Sequence, residues 1–392
     1  MEVVQVYELV NNTTKEILGE SAVLKEDLSN IVDIGTDVIN AKALDKYVNA
    51  LVNRIGKVIF VNRKYNGSVP SVLMDGWEYG SVVEKIRCEL PDATENESWE
   101  LVDQQSYDQD VFYQPKVAAK FFNSKTTFEV PMSFTERQVK QSFATPQELG
   151  SFIEMLYTAV ENTMTIKIES LIMRTINNMI AETISADYLD GPLTAKSGIK
   201  AVNLLKLYND KIGVQPEGAL TADKALTNLD FIKFAAYMLK LYATRLGKMS
   251  TLFNVGKKER FTPKDRLHVV LLNEFASAAD VYLQSDTFHN EFVKLPQAEE
   301  VAYWQGTGTD YDFNSTSKVD VTIKLPDGST KGVTATGILG VFFDRYALGV
   351  NNTDRRVTSH YNAKAEFFSN WYKHDASYFN DLDENFVVFF IA

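Results

Sequence analysis

A long run of apolar residues at helical spacing is the strongest pattern in the chain. It predicts a helix that begins at Pro146, with Thr145 as its N-cap and Glu148 closing a capping box. No Pro or Gly interrupts the run between Ser151 and Ile184, so the helix should extend for about 40 residues, or roughly 60 Å. Its apolar face is formed by Leu149, Phe152, Ile153, Leu156, Val160, Met164, Ile168, Leu171, Ile172, Thr175, Ile176 and Met179. We expect other elements to pack along this helix.

Alternating apolar and polar residues predict two strands on either side of an acidic segment. In the first strand the apolar positions are Val82, Ile86, Cys88 and Leu90, and the polar positions between them are Lys85, Arg87 and Glu89. In the second strand the alternation runs through Phe128, Val130, Met132 and Phe134. The two strands and the acidic residues 91–112 between them predict a long hairpin, or flap, that projects from the body. The apolar face, including Cys88, should be buried and the polar face wet.

Weaker patterns divide the rest of the chain. Residues 1–58 predict short helices, the clearest with an apolar face formed by Leu44, Tyr47, Val48, Leu51 and Val52. Residues 197–213, 226–246 and 274–283 predict further helices, and residues 267–273 predict a buried strand. Alternating segments on either side of Pro326, Asp327 and Gly328 predict a hairpin. The order of elements is that of an α+β protein.

The end of the sequence is a continuous apolar run, Phe386 to Ile391. Its length and its β-branched and aromatic content predict a strand covered on both faces. The acidic residues before it, Asp381, Asp383 and Glu384, predict a solvated turn. We expect that truncating the last seven residues abolishes folding.

Composition limits the classes of function. The chain has 392 residues, a net charge of −12 and 45% hydrophobic residues, which suffices for large cores. The negative charge disfavours broad binding to nucleic acid or to an anionic membrane. The single cysteine, Cys88, excludes an internal disulfide framework. We expect neither a signal peptide nor a membrane-spanning segment.

Groups of catalytic or metal-binding type are few and isolated. His268 lies in an apolar strand, and His374 with Asp375 has no second histidine at helical spacing. The residues "DLDEN" at 381–385 resemble the start of a calcium loop, but Phe386 stands where that loop requires Gly. No phosphate-binding, dinucleotide-binding or nucleophile-elbow motif occurs. We therefore predict that the chain is not an enzyme and has no cofactor or metal.

Several stretches in order resemble the major capsid proteins of tailed bacteriophages, which have the Hong Kong 97-type fold. "DKYVNALVNRIGKVIF" resembles the end of the N-terminal arm, and "EYGSVVEKIRCELPDATENESWEL" the rise into the extended E-loop. "KTTFEVPMSFTERQVKQSF" resembles the return of that loop, and the helix from Pro146 the spine helix. The most specific likeness is that of residues 341–392 to the C-terminal end of such proteins.

The resemblance implies a domain organisation and a set of partners. It implies an arm at residues 1–58, a connector and E-loop at 59–135, a peripheral domain at 136–195, an axial domain at 196–340 and a C-terminal return at 341–392. Copies of the chain would form hexamers and pentamers of an icosahedral head, assembled in the bacterial cytoplasm. The head would enclose double-stranded DNA without sequence-specific contacts, alongside a separate scaffolding protein, a portal and decoration proteins. Candidate contacts between subunits are Tyr47, Leu51, Trp77, Tyr79, Trp99, Phe112 and Tyr113.

Two alternatives remain open at this point. A bacterial compartment shell of the encapsulin type has the same fold but packages enzymes. An enzyme of a different class could use residues 91–112 as a lid over its active site. The size of the particles separates the shell proteins from the enzyme. Both shell proteins form closed assemblies of several megadaltons, whereas the enzyme would be a monomer or dimer.

Overall fold

The computed structural model describes residues 3–18, 25, 69–74, 83–135, 146–188, 191–213, 218–285, 296–306, 314–325 and 328–392. Within them the chain has an α+β architecture, as predicted. The helices are α1 (Val3–Leu18), α2 (Pro146–Asp187), α3 (Leu204–Ile212), α4 (Ala222–Ala225), α5 (Leu229–Arg245) and α6 (Asn273–Ser285). The strands are β1 (Val83–Cys88), β2 (Val117–Phe122), β3 (Lys125–Thr135), β4 (Ala201–Asn203), β5 (Leu267–Leu272), β6 (Glu299–Val301), β7 (Gln305–Gly306), β8 (Lys318–Lys324), β9 (Thr330–Ala335), β10 (Ile338–Asp344), β11 (Leu348–Asn362), β12 (Phe367–Asn380) and β13 (Phe386–Phe390).

The long helix α2 begins at Pro146 and runs for 42 residues, which confirms the predicted start and length. Its predicted apolar positions from Val160 to Met179 are buried. From residue 168 onward most side chains of α2 are buried and none is exposed, and the half-buried Arg174, Asn178, Glu182 and Ala186 follow one face of the helix. The reason is that α2 packs against strands from all three larger sheets, including β8, β11 and β13. Because elements pack against several faces of α2, its apolar residues are not confined to one face.

A five-stranded sheet in the order β4-β13-β10-β5-β6 contributes to the buried hydrophobic core together with the helices and other sheets. Strand β13 lies inside it, antiparallel to β10 and parallel to β4, and all five of its residues are buried. Phe389 packs against Tyr242 of α5 and Phe342 of β10, with ring centroids 5.3 Å and 4.9 Å away. The predicted strand covered on both faces is confirmed.

A second sheet has the order β11-β12-β3 and lies along α2. The predicted strand through Phe128 and Met132 is β3, but its pairing was predicted wrongly. It pairs with β12, whereas the partner of β1 in the flap is β2. The alternation in β3 is strong because its inner face packs on the body. Strand β2 is exposed at five of its six positions, so it has no burial pattern to detect.

The remaining elements agree largely with the sequence. The predicted hairpin is β8–β9, which with β7 forms a three-stranded sheet against α2. Helices α5 and α6 and strand β5 lie where they were predicted. Residues 197–213 differ, because strand β4 precedes α3 and Asn203 between them caps the helix. Its side chain accepts a 3.0 Å hydrogen bond from Lys206 N and donates one of 3.1 Å to Ala392 O.

The N-terminal segment is described only in part. Helix α1 buries Val10, Thr13 and Thr14, so one of its faces is packed. The helix predicted around Tyr47 and Leu51 lies outside the described residues. No described helix is both long enough and apolar enough to cross a membrane.

Candidate functional site: an exposed flap and the charged cluster at its base

The flap is a two-stranded ribbon formed by β1 and β2, joined by residues 89–116. The antiparallel register runs from Val83 opposite Phe122 to Cys88 opposite Val117. Every residue of the joining segment whose side chain is described is exposed. A two-stranded ribbon alone is marginally stable in water, so the flap depends on what its base and its surface contact.

Large aromatic side chains lie unprotected on the flap. Trp99 is 95% exposed, Phe112 84% and Tyr113 85%. These are three of the seven predicted contact residues; Tyr47, Leu51, Trp77 and Tyr79 lie outside the described residues. Exposed apolar groups of this size on one segment are typical of a surface that another molecule covers.

Six charged residues hold the base of the flap to the body, and we call them the hinge cluster: Lys85, Arg87, Lys120, Asp381, Asp383 and Glu384. Asp381 lies at the centre. Its Oδ2 lies 3.1 Å from Lys85 Nζ and 2.8 Å from Arg87 Nη2, and its Oδ1 lies 3.0 Å from Lys120 Nζ. Arg87 also pairs with Glu384, and Lys120 with Asp383. Both strands of the flap are thereby tied to the turn between β12 and β13.

The hinge cluster corrects two predictions. The acidic turn was predicted to be solvated, but the side chain of Asp381 is fully buried and that of Glu384 nearly so. In β1 the basic face packs inward and the apolar face is exposed, so Ile86 and Cys88 face solvent. The prediction assigned faces by hydrophobicity, and here attraction between opposite charges decides the orientation instead.

The electrostatics fit a cluster organised around one carboxylate. Burial would raise the pKa of Asp381, yet its pKa lies below the ordinary value because Lys85, Lys120 and Arg87 surround it. Burial would lower the pKa of Lys120, but hydrogen bonds to Asp383 and Asp381 raise it. For Glu384 burial prevails and raises the pKa. Asp381 is therefore the ion that the three basic side chains share.

Aromatic rings complete the base of the flap. Lys85 Nζ lies 4.3 Å from the ring centroid of Phe379 and 5.3 Å from that of Phe122, distances typical of cation–π contacts. The two rings lie 5.3 Å apart, and Lys85 also donates to Tyr346 O. Burial lowers the pKa of Lys85, and the carboxylate of Asp381 opposes this. Lys85 therefore joins β1 to β2, to β12 and to the turn after β10.

The basic half of the cluster could have been found from sequence. Lys85 and Arg87 occupy alternate positions and so share one face of β1. Three acidic residues stand within four positions directly before a buried strand, where space for solvent is limited. The sequence does not show that these basic and acidic residues, nearly 300 positions apart, meet in the fold.

Other candidate groups are not brought together. His268 stacks on Phe343 with centroids 5.6 Å apart, and burial lowers its pKa. His374 is buried, and neither ring nitrogen has a hydrogen-bond partner among the residues that the structure describes. Within the described ranges no group of three His, Cys, Asp or Glu side chains could hold a metal ion.

Together these features define a class: a structural subunit whose exposed aromatic flap requires a partner surface. The chain belongs to the Phi29-like phage major capsid protein family, whose model matches residues 10–390. It is a shell-forming protein of the phage virion, which confirms the resemblance found in the sequence. The comparison with curated proteins gave no match.

Solved structures of phage capsids overlap with most of the chain. The capsid of Staphylococcus phage Andhra shares 10% identity over 82% of this chain and 83% of that one, with a TM-score of 0.48. The mature capsid of bacteriophage PhiM1 shares 9% over 85% and 88%, with a TM-score of 0.40. The capsid of Cyanophage P-SCSP1u shares 10% over 86% and 94%, with a TM-score of 0.41. The family assignment depends on the family model and not on these overlaps.

Proposed function

We propose that the chain builds the icosahedral head of a tailed phage as hexamers and pentamers of the Hong Kong 97-type fold. In this proposal the β1–β2 flap is the E-loop and α2 is the spine helix. Residues 1–58 form the arm, 59–135 the connector and E-loop, 136–195 the peripheral domain, 196–340 the axial domain and 341–392 the C-terminal return. The observation that carries the proposal is the exposure of Trp99, Phe112 and Tyr113 on a flap whose ion pairs with the described body lie at its base.

The flap would act by lying on a neighbouring copy. Fully burying one large aromatic side chain contributes on the order of 2 kcal/mol, and a shell repeats this contact at every subunit. The hinge cluster would fix the angle at which the flap leaves the body. The arm would clamp neighbours in the same way, through Tyr47 and Leu51. The connector would contact them through Trp77 and Tyr79.

The partners follow from this role. The shell would enclose double-stranded DNA without sequence-specific contacts, and assembly in the host cytoplasm would use a separate scaffolding protein, a portal and decoration proteins. The net charge of −12 supports a container that does not retain its DNA tightly.

The test replaces the three aromatic residues by W99S, F112S and Y113S in one chain. We expect folded subunits that no longer close into particles, measured by electron microscopy and analytical ultracentrifugation. The control replaces three exposed polar residues of the same segment, Gln105, Gln109 and Gln114, by alanine, and particles should form normally. Normal particles from the aromatic variant would contradict the proposal.

A further inference from the structure

The outer part of the flap is strongly acidic. Residues 91–113, which we call the flap tip, contain seven Asp and Glu residues and no Lys or Arg, a formal charge of −7. The same segment carries Trp99, Phe112 and Tyr113. A partner for the flap tip must therefore offer positive charge and apolar surface together.

One segment of the same chain offers both. Residues 245–266, which we call the basic loop, contain seven Lys and Arg against two acidic residues, a formal charge of +5. Met249, Leu252 and Phe261 are each about half exposed on it, at 44%, 51% and 50%. Its exposed cations are Arg245, Lys248, Lys257, Lys258, Lys264 and Arg266.

The basic loop is held in a defined shape. Ser250 and Arg260 exchange backbone hydrogen bonds of 2.9 Å and 3.0 Å, and Thr262 N donates to Leu246 O at 2.7 Å. The side chain of Asn254 bonds both ways with the backbone of Lys258, at 2.7 Å each. A surface ordered before binding loses less conformational entropy when a partner docks.

Within one subunit the basic loop adjoins the base of the flap and not its tip. Gly256 N donates to Leu382 O at 2.9 Å, and Lys258 Nζ lies 4.0 Å from Glu89 Oε1. Among the described residues no hydrogen bond or ion pair joins the flap tip to the basic loop. In the described part of one subunit, the contacts of the basic loop are thus with the base of the flap and the acidic turn.

We propose that the flap tip of one copy docks on the basic loop of the next copy. This inference rests on the proposed function and specifies the surface that receives the flap. Each subunit carries one tip and one loop, so the contact runs head to tail, and such contacts close into rings when the rotation between copies allows it. The acidic residues pair with the loop cations, and the aromatic residues cover Met249, Leu252 and Phe261.

A charge exchange tests the pairing. One chain carries E95K, E100K and D103K in the flap tip, a second carries K248E, K257E and K264E in the basic loop, and a third carries all six. Because like charges at a contact repel each other, we expect each triple variant to lower particle yield by more than about tenfold. The variant with all six substitutions restores opposite charges at the contact and should recover most of the particle yield.

A matched control separates position from total charge. Lys224, Lys324 and Lys364 are exposed and lie outside both segments. K224E, K324E and K364E together change the net charge as the loop variant does, and the yield should stay at the wild-type level. Far-ultraviolet circular dichroism and urea unfolding of the subunits show that every variant is folded.

Three results would overturn the pairing. One is that the variant with all six substitutions assembles no better than either triple variant. Another is a basic-loop variant that forms normal shells but retains less DNA, because the loop would then face the genome. The third is a flap-tip variant with normal yield. Failure of the proposed function is a different outcome, in which the wild-type chain forms no particles at all.

Discussion

Asp381 combines three ion pairs with complete burial, a combination that a single carboxylate rarely has. Its three partners come from both strands of the flap, and their side chains are 13%, 22% and 44% exposed. Each partner is thus partly desolvated and is compensated by this shared carboxylate, with Glu384 as a second partner of Arg87 and Asp383 as a second partner of Lys120. The residue couples the orientation of the flap to the turn that precedes the last strand.

Replacing Asp381 by asparagine should lower the free energy of unfolding by on the order of 2 kcal/mol. The change leaves Lys85, Arg87 and Lys120 facing one another without the central anion, and partial exposure keeps the cost below that of a fully buried pair. Urea unfolding of the unassembled subunit measures the loss. Asp354→Asn is the control, because Asp354 pairs with Arg356 at the surface and should cost less than about 1 kcal/mol. Equal losses of free energy in the two variants would show that Asp381 stabilises the subunit no more than a surface carboxylate does.

His374 should make the subunit sensitive to acid. Burial, with Arg355 adding to the effect, lowers the pKa of this imidazole to about 4, although Asp375 and Asp354 oppose it. The unfolded chain takes up a proton near pH 6.5 and the folded chain does not, so stability is lost as the pH falls from 6.5 to about 4. The loss should reach about 3 kcal/mol.

The variant His374→Leu isolates this effect. Its free energy of unfolding should fall less between pH 7 and pH 4 than that of the wild type, as measured by urea unfolding at each pH. His360→Leu on the exposed part of the same sheet serves as the control and should keep the wild-type pH dependence. If His374→Leu and the wild type lose stability in parallel, the buried imidazole is not the source.

At the scale of elements, β13 is the strand on which the central sheet depends. Phe389→Ala should destabilise the subunit by about 3 to 5 kcal/mol, because it removes a fully buried ring that contacts Tyr242 and Phe342. Urea unfolding gives the value. Phe112→Ala deletes the same side chain from the exposed flap and should change subunit stability by less than about 0.5 kcal/mol. A small effect at Phe389 would contradict the assigned packing.

The elements that the sequence predicted well are those whose burial determines their residues. Helix α2 and strands β3, β5 and β13 pack on the body, so burial selects their residues: apolar positions recur at helical spacing in α2 and alternate in β3, and they form nearly continuous runs in β5 and β13. The sequence predicted that the flap projects. It did not predict that β2 is the return strand or that the basic face of β1 packs inward. An exposed ribbon has no core to impose a pattern, and its inward residues are charged because they meet the acidic turn.

For the whole molecule, the single cysteine reports on whether the flap is covered. Cys88 is exposed on β1 of the isolated subunit, on the same face as Ile86. If a neighbouring copy lies on this face, maleimide labelling should be rapid in subunits and at least about tenfold slower in intact particles, since covering excludes the reagent. Denatured particles provide the control for full reactivity. Equal rates in subunits and particles would mean that this face of the flap stays open in the shell.

The position of β13 also orders events in time. It lies between β4 and β10, yet it follows every other described strand in the sequence, so it leaves the ribosome after them. Until then β4 and β10 have no strand between them and the buried hydrophobic core of the subunit stays open. Under the proposed function, a growing chain whose flap is already exposed has no completed five-stranded sheet to bring to a shell until β13 is made.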